Sequence, residues 1–185
     1  MIRRLVALAV LLAGCRSDPA PPPGLAQDST ANAAPSAATP TRFSELAPGD
    51  TAAVLLIMRQ TMQDIDGALG GLARRDTVLV AEAGQEPRRL SLWLEDGVPR
   101  KLTVSEPNDL GRMLGESAFW FVQGEVRVVQ QPHDAYAFDA DRILVWTDES
   151  LVPLSDITGE ERMARERDVV EEAHRWLAVF GVKLP

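Results

Sequence analysis

The chain has 185 residues, 45% hydrophobic and 25% charged, with 27 acidic side chains against 19 basic ones and a formal net charge of −8. That balance lacks the basic footprint that nucleic acid demands, and it lacks a polybasic membrane-surface patch. A single cysteine excludes an intramolecular disulfide.

The first element is MIRRLVALAVLLAGC. Arg3 and Arg4 form a short positive region, Leu5 to Leu12 is an unbroken apolar run, and the small residues Ala13 and Gly14 follow. This is the layout of a secretory signal peptide. The apolar run is far shorter than the roughly 20 residues that cross a bilayer. Leu12-Ala13-Gly14-Cys15 resembles the lipobox of bacterial lipoproteins, with charge, apolar run, small residues and cysteine in order. The resemblance implies a diacylglycerol on the Cys15 sulfur, cleavage between Gly14 and Cys15, and acylation of the new amino terminus. Each buried CH₂ contributes about 0.8 kcal/mol and stable anchoring takes two or more chains, so Cys15 would hold a soluble domain at a membrane with no polypeptide in the bilayer. Among lipoproteins that are sorted, Asp after the cysteine resembles an inner-membrane retention signal. Arg16 stands there, which leans toward the periplasmic side of an outer membrane. Loss of Arg3 and Arg4 with residues 1–14 leaves 17 basic against 27 acidic residues, net −10.

From Cys15 to residue 42 the chain reads as a tether. Residues 16–42 hold 19 Pro, Ala, Ser or Thr among 27 positions, and Leu25 is the one large apolar side chain. Such a segment cannot offset its ordering entropy by burial. As a flexible coil it spans roughly 30 Å.

Residues 43–185 are the size of one domain. Asp50 or Thr51 caps a first helix whose apolar stripe is Leu55, Met58, Met62, Ile65, Leu69 and Leu72. Thr158-Gly159-Glu160-Glu161 is a capping box for a last helix, with Met163, Val170, Ala173, Leu177 and Phe180 as its stripe and Gly181 as its stop. Between them the period becomes two, in segments 77–80, 88–94, 98–104, 118–122, 125–129, 135–138 and 142–146. Several connections are too short for crossovers, so the strands form an antiparallel meander. The expected fold is α+β: a meander sheet of about six or seven strands with an N-terminal and a C-terminal helix packed on it.

Register follows from the turns. A three-residue Glu95-Asp96-Gly97 loop pairs Leu92 with Arg100 and Leu90 with Leu102, whereas a two-residue Asp96-Gly97 loop opposes Leu92 with Lys101; gathering the leucines favours the former. A two-residue Gln123-Gly124 loop pairs Phe121 with Val126 and Phe119 with Val128, and sets Trp120 opposite Arg127 as a cation–π pair. The two turns differ in loop length and are not read as a repeat. A short Ala140-Asp141 loop puts Tyr136, Phe138, Ile143 and Val145 on the inner face. Alternation then sends Trp93, Trp120 and Trp146 to the second face. Either a helix covers each face and the tryptophans are core, or both helices lie on the inner face and Trp93, Trp120, Trp146 and Arg127 form an open partner surface.

No catalytic constellation emerges. His133 and His174 are 41 positions apart and read as surface residues, and the Gly115-Glu116-Ser117 stretch lacks the second glycine of a nucleophile elbow. Asp134, Asp139, Asp141, Asp148 and Glu149 do not match the ligand spacing of an EF-hand. Neither a metal nor a cofactor is expected, and the chain reads as a non-enzyme. The expected role is an envelope lipoprotein that binds another envelope component, protein or polymer. A carrier of a small apolar ligand or lipid in a groove between helix and sheet is the alternative, and an envelope hydrolase the least supported. Radiolabelled palmitate is expected to enter the wild-type protein and not Cys15→Ser; equal labelling of the two would contradict the lipobox reading.

Overall fold

The computed structural model describes residues 42–43, 46, 49–80, 86–108 and 110–184. The signal peptide, the lipobox with Gly14 and Cys15, and the tether up to residue 41 lie outside the described residues. Helix α1 (Thr51–Ala68) opens the fold, and a single 3-10 turn (Leu69–Gly71) ends it. Seven strands follow: β1 (Ala73–Leu79), β2 (Arg88–Glu95), β3 (Val98–Pro107), β4 (Met113–Val122), β5 (Glu125–Gln130), β6 (Asp134–Asp139) and β7 (Arg142–Asp148). They form one antiparallel sheet in the order β1 to β7, a pure meander, and α2 (Gly159–Val179) closes the chain. The α+β meander with a helix at each end is therefore the observed architecture.

Both helices begin as their residues dictate. The Asp50 carboxylate accepts from the Ala53 N–H at 3.0 Å. Thr158 and Glu161 form the reciprocal capping box, Oγ1 accepting from the Glu161 N–H at 3.2 Å and the Glu161 carboxylate accepting from the Thr158 N–H at 2.8 Å. At its other end α2 stops at Gly181, whose φ of 72° suits the left-handed position, with the Val182 N–H returning to the Leu177 carbonyl at 3.1 Å.

Each sheet face is covered by one helix. The α2 face buries Leu90, Leu92, Leu102, Phe119, Phe121, Tyr136 and Phe138 beneath Val169, Ala173, Trp176 and Leu177. The α1 face buries Ala118, Trp120, Val128, Ala135, Ala137 and Val145 beneath Val54, Ile57, Met58 and Ile65. The apolar stripes are rotated from the expected ones. Val54 and Ile57 join Met58 and Ile65 in α1, while in α2 Val169 and Trp176 are buried and Met163 is 62% exposed. The reading in which both helices share the inner face is overturned, and with it the open tryptophan surface. Trp120 is only 2% exposed. Trp93 is half-buried on the same face, and Trp146 is half-buried on the opposite one.

The reason lies in the hairpins, which share one construction. All three have two-residue loops with both residues at positive φ: Asp96 and Gly97 at 50° and 85°, Gln123 and Gly124 at 55° and 83°, Ala140 and Asp141 at 46° and 63°. In each, the third residue of the returning strand is a bulge, so Trp93 pairs with Lys101, Trp120 with Val128 and Ala137 with Val145, while Arg100, Arg127 and Leu144 are the unopposed residues. The expected three-residue loop at 95–97 is thus corrected to two residues, and Leu92 meets Leu102 rather than Arg100. Phe119 meets Val129, not Val128. Val145 turns to the α1 face and Trp146 to the α2 face. The expected difference in loop length is corrected: the three turns have the same length and the same bulge position.

Arg127 does not oppose Trp120. It ties the hairpin tips together through Glu125, at 2.8 Å, and Asp139. The cation over Trp120 is Lys101, 4.6 Å from the ring centroid. Asp66 of α1 accepts from both Lys101 Nζ and Trp120 Nε1 at 2.8 Å, which fastens the end of α1 to β3 and β4. Among the six hairpin-loop residues Ala140 alone is a plain L-residue without a side-chain hydrogen-bonding group, and it sits at a φ of 46°. The left-handed region costs such a residue about 1 kcal/mol, so Ala140→Gly is expected to raise stability by roughly 0.5–1 kcal/mol in denaturant unfolding. A loss of stability would show that the turn is not strained there.

Candidate functional site

Helix α2 crosses its face from β7 toward β2. Arg162 and Glu166 bond the main chain of Ile143 in β7, Arg165 lies 3.9 Å from Asp134 in β6, Glu172 reaches Gln131 just after β5, and Trp176 meets Arg88 in β2. The path starts beside the β6–β7 tip at Ile143, and from Arg165 onward it lays a polar seam beneath the helix along the strand ends remote from the hairpin tips. Its first part is aromatic. Tyr136 and Trp146 are cross-strand partners with ring centroids 5.3 Å apart, Arg165 sits 5.4 Å from the Trp146 ring, and Trp146 Nε1 donates to Asp134 at 2.9 Å. Burial, with Asp134 assisting and Arg165 opposing, pushes the Tyr136 phenol far above its ordinary value, which keeps it neutral.

The second part is acidic. Glu172 accepts from Gln131 Nε2 and Trp176 Nε1, both at 3.0 Å. Glu106 accepts from Arg88 at 3.1 Å through one carboxylate oxygen; its other oxygen and the hydroxyl of Ser117 are buried without hydrogen-bond partners. Burial drives the Glu106 carboxyl above the usual carboxylate range, while Arg88 and the neighbouring Ser117 pull it back.

Trp146 also lines a cleft at the end of this seam. The strap after β7 turns back along that edge strand, with Thr147 bridging Pro153 and the Leu154 N–H reaching the Trp146 carbonyl at 2.9 Å. Between this strap, the Trp146 indole and the first turn of α2 lies a cleft of about 440 Å³, lined by Trp146, Pro153, Leu154 and Ile157 together with Ser155, Asp156 and Glu161. Leu154 is 41% exposed. The Thr158 N–H and hydroxyl hold the Glu161 carboxyl below its ordinary value, so it carries a negative charge at neutral pH.

Of the four residues expected to share a partner face, only Trp146 borders this cleft. Trp120 is core, Trp93 lies under Arg74, whose guanidinium is 4.9 Å from its ring, and Arg127 braces the hairpin tips. The two histidines sit toward opposite ends of β5: His133 in the β5–β6 turn, and His174 beside the tips at Gly124 and Asp141. The acidic loop residues separate as well. Asp134 serves Trp146, Asp139 serves Arg127, and Asp148 accepts from the Ser150 and Val152 N–H groups of its own loop. Among the described residues no three His, Cys, Asp or Glu side chains converge as a metal would require, and no helix is long and apolar enough to cross a membrane. The 151–157 strap escaped sequence reading because it has no period of its own. Pro153, Leu154 and Ile157, three apolar residues in a segment bounded by a helix cap, were the available signal.

No protein-family model matches the chain, and neither a curated protein nor a solved structure shows significant similarity to it.

The burial of the Glu106 carboxyl has a consequence for stability. A carboxyl held high in the folded state keeps a proton that the unfolded chain has lost, so this group favours folding at low pH and opposes it as pH rises through its folded pKa. An amide can accept from Arg88 and donate to Ser117 at once. Glu106→Gln is therefore expected to stabilise the domain by about 1–2 kcal/mol at neutral pH. The gain should shrink as pH falls and the wild-type carboxyl takes up its proton. Thermal unfolding of both proteins across pH tests this, and a gain that grows on acidification would contradict it.

Proposed function

We propose that the chain is a membrane-anchored envelope lipoprotein, cleaved between Gly14 and Cys15 and held by lipid on Cys15, whose α+β domain is a binding module rather than an enzyme. Its place is the cell envelope, on the periplasmic side of an outer membrane where the organism has one, as Arg16 suggests. The ordered signal ending in Leu12-Ala13-Gly14-Cys15 supports the anchor. The observation that carries the binding role is the cleft beside Trp146, a concavity of about 440 Å³ in which the half-buried indole meets Pro153, Leu154 and Ile157 and the Leu154 side chain stays exposed. A concavity lined mainly by apolar side chains with a few placed polar groups is the usual form of a recognition site. Its partner is another envelope component. The cleft lies between a helix and the sheet edge, which also favours the second reading, a small apolar ligand.

A photo-crosslinking side chain in place of Leu154 tests this in the native envelope, with the same group at Leu56, 47% exposed on α1, as control. A discrete product from position 154, absent from position 56 and lost when Ile157→Asp brings charge into the cleft, is the expected result. No product at 154, or the same product at both positions, would overturn the binding role of the cleft.

A further inference from the structure

We infer that the Trp146 cleft takes a basic side chain, lysine or arginine, presented by a segment of a partner protein. The inference rests on the reading of the cleft as a binding site and adds the chemistry of what enters it. Trp146, Pro153, Leu154 and Ile157 give the lining its apolar part, and the exposed carboxylates of Asp156 and Glu161 complete it. Among the described residues neither Asp156 nor Glu161 has a basic partner. Asp156 accepts from the Ser155 hydroxyl at 3.2 Å, and Glu161 from the Thr158 N–H and hydroxyl at 2.8 Å. The nearest cation over the indole, Arg165, is matched by Asp134 at 3.9 Å. Two carboxylates without an ion-pair partner among the described residues therefore stand beside the apolar side chains of the cleft.

A long basic side chain satisfies both parts. Its methylene stem covers apolar surface while its charged head stays in water beside the carboxylates. An anion would meet two like charges there. A wholly apolar ligand would crowd the carboxylates and strip them of water with nothing in return. The mature chain's net charge of −10 steers a basic partner in the same direction.

The test uses the mature full-length protein and two probes, acetyl-Gly-Leu-Lys-Leu-Gly amide and the same peptide with norleucine in place of lysine. Binding is read from the indole N–H resonance of Trp146. The lysine peptide should shift this resonance, bind more weakly as salt rises, and bind roughly threefold more weakly to Asp156→Asn, a change at an exposed position. The norleucine peptide should bind more weakly and without dependence on Asp156. Equal binding of both peptides, indifferent to Asp156→Asn, would overturn the basic-ligand inference and leave the cleft as an apolar site. Failure of both peptides alongside a positive crosslink at position 154 would likewise overturn it while the binding role stands. Failure of peptides and crosslink together would remove both.

Discussion

The structure depends on a bulge repeated three times. A two-residue loop at positive φ fixes how each hairpin starts, and strict alternation from that start would carry Lys101 onto the face beneath α2. The extra residue at Arg100, Arg127 and Leu144 resets the phase. Lys101 then lies on the α1 face, where Asp66 and the Trp120 ring receive it, and Leu102 enters the core. A one-residue slip inverts every side chain beyond it, so the bulges decide which residues each helix meets. The bulged residues are put to use as well. Arg100 pairs with Glu95 at 3.1 Å, Arg127 braces two tips, and Leu144 borders the cavity beside Phe43 and Val54.

An open sheet must also manage its two edges. At β7 the protection is built from other elements. The strap bonds the strand at Trp146 and Asp148, and Glu166 and Arg162 of α2 occupy the N–H and carbonyl of Ile143 at 2.9 and 3.3 Å. At β1 the protection is charge, through Arg74, Arg75 and Asp76, all exposed. The strap that seals β7 is the same segment that walls the cleft. Edge protection and the candidate site are one structural feature, which explains why apolar residues lie exposed there.

The seam beneath α2 shows how a buried polar set is tolerated. Asp134, Gln131 and Glu172, all partly buried, each hold defined partners. Satisfied networks of this kind specify one helix position, whereas an apolar seam would let the helix slide. Glu106 and Ser117 are the incomplete members, with a carboxylate oxygen and a hydroxyl left unpaired. They mark where the seam is least stable, not where it is most specific.

Elements with a strong local signal were legible in the sequence. The capping box at Thr158–Glu161, a first-helix cap at Asp50 or Thr51, the Gly181 stop and a meander of six or seven strands follow from residue spacing, because caps and tight turns are decided within four or five residues; the structure selects Asp50 and seven strands. The faces were not legible. Val128 and Val129 are both apolar, as are Val145 and Trp146, so either register buries something plausible, and only the bulge chooses. The second face was equally hidden. Whether α1 lies with α2 or opposite it depends on where a helix of 18 residues can seat its stripe, and that is set by a face whose composition the bulges had already determined. The candidate site is the extreme case. Trp146 was visible as a large aromatic, but its companions at 153–157 acquire meaning only when the strap folds back along β7. A cleft is a relation between distant segments, and no local pattern encodes it.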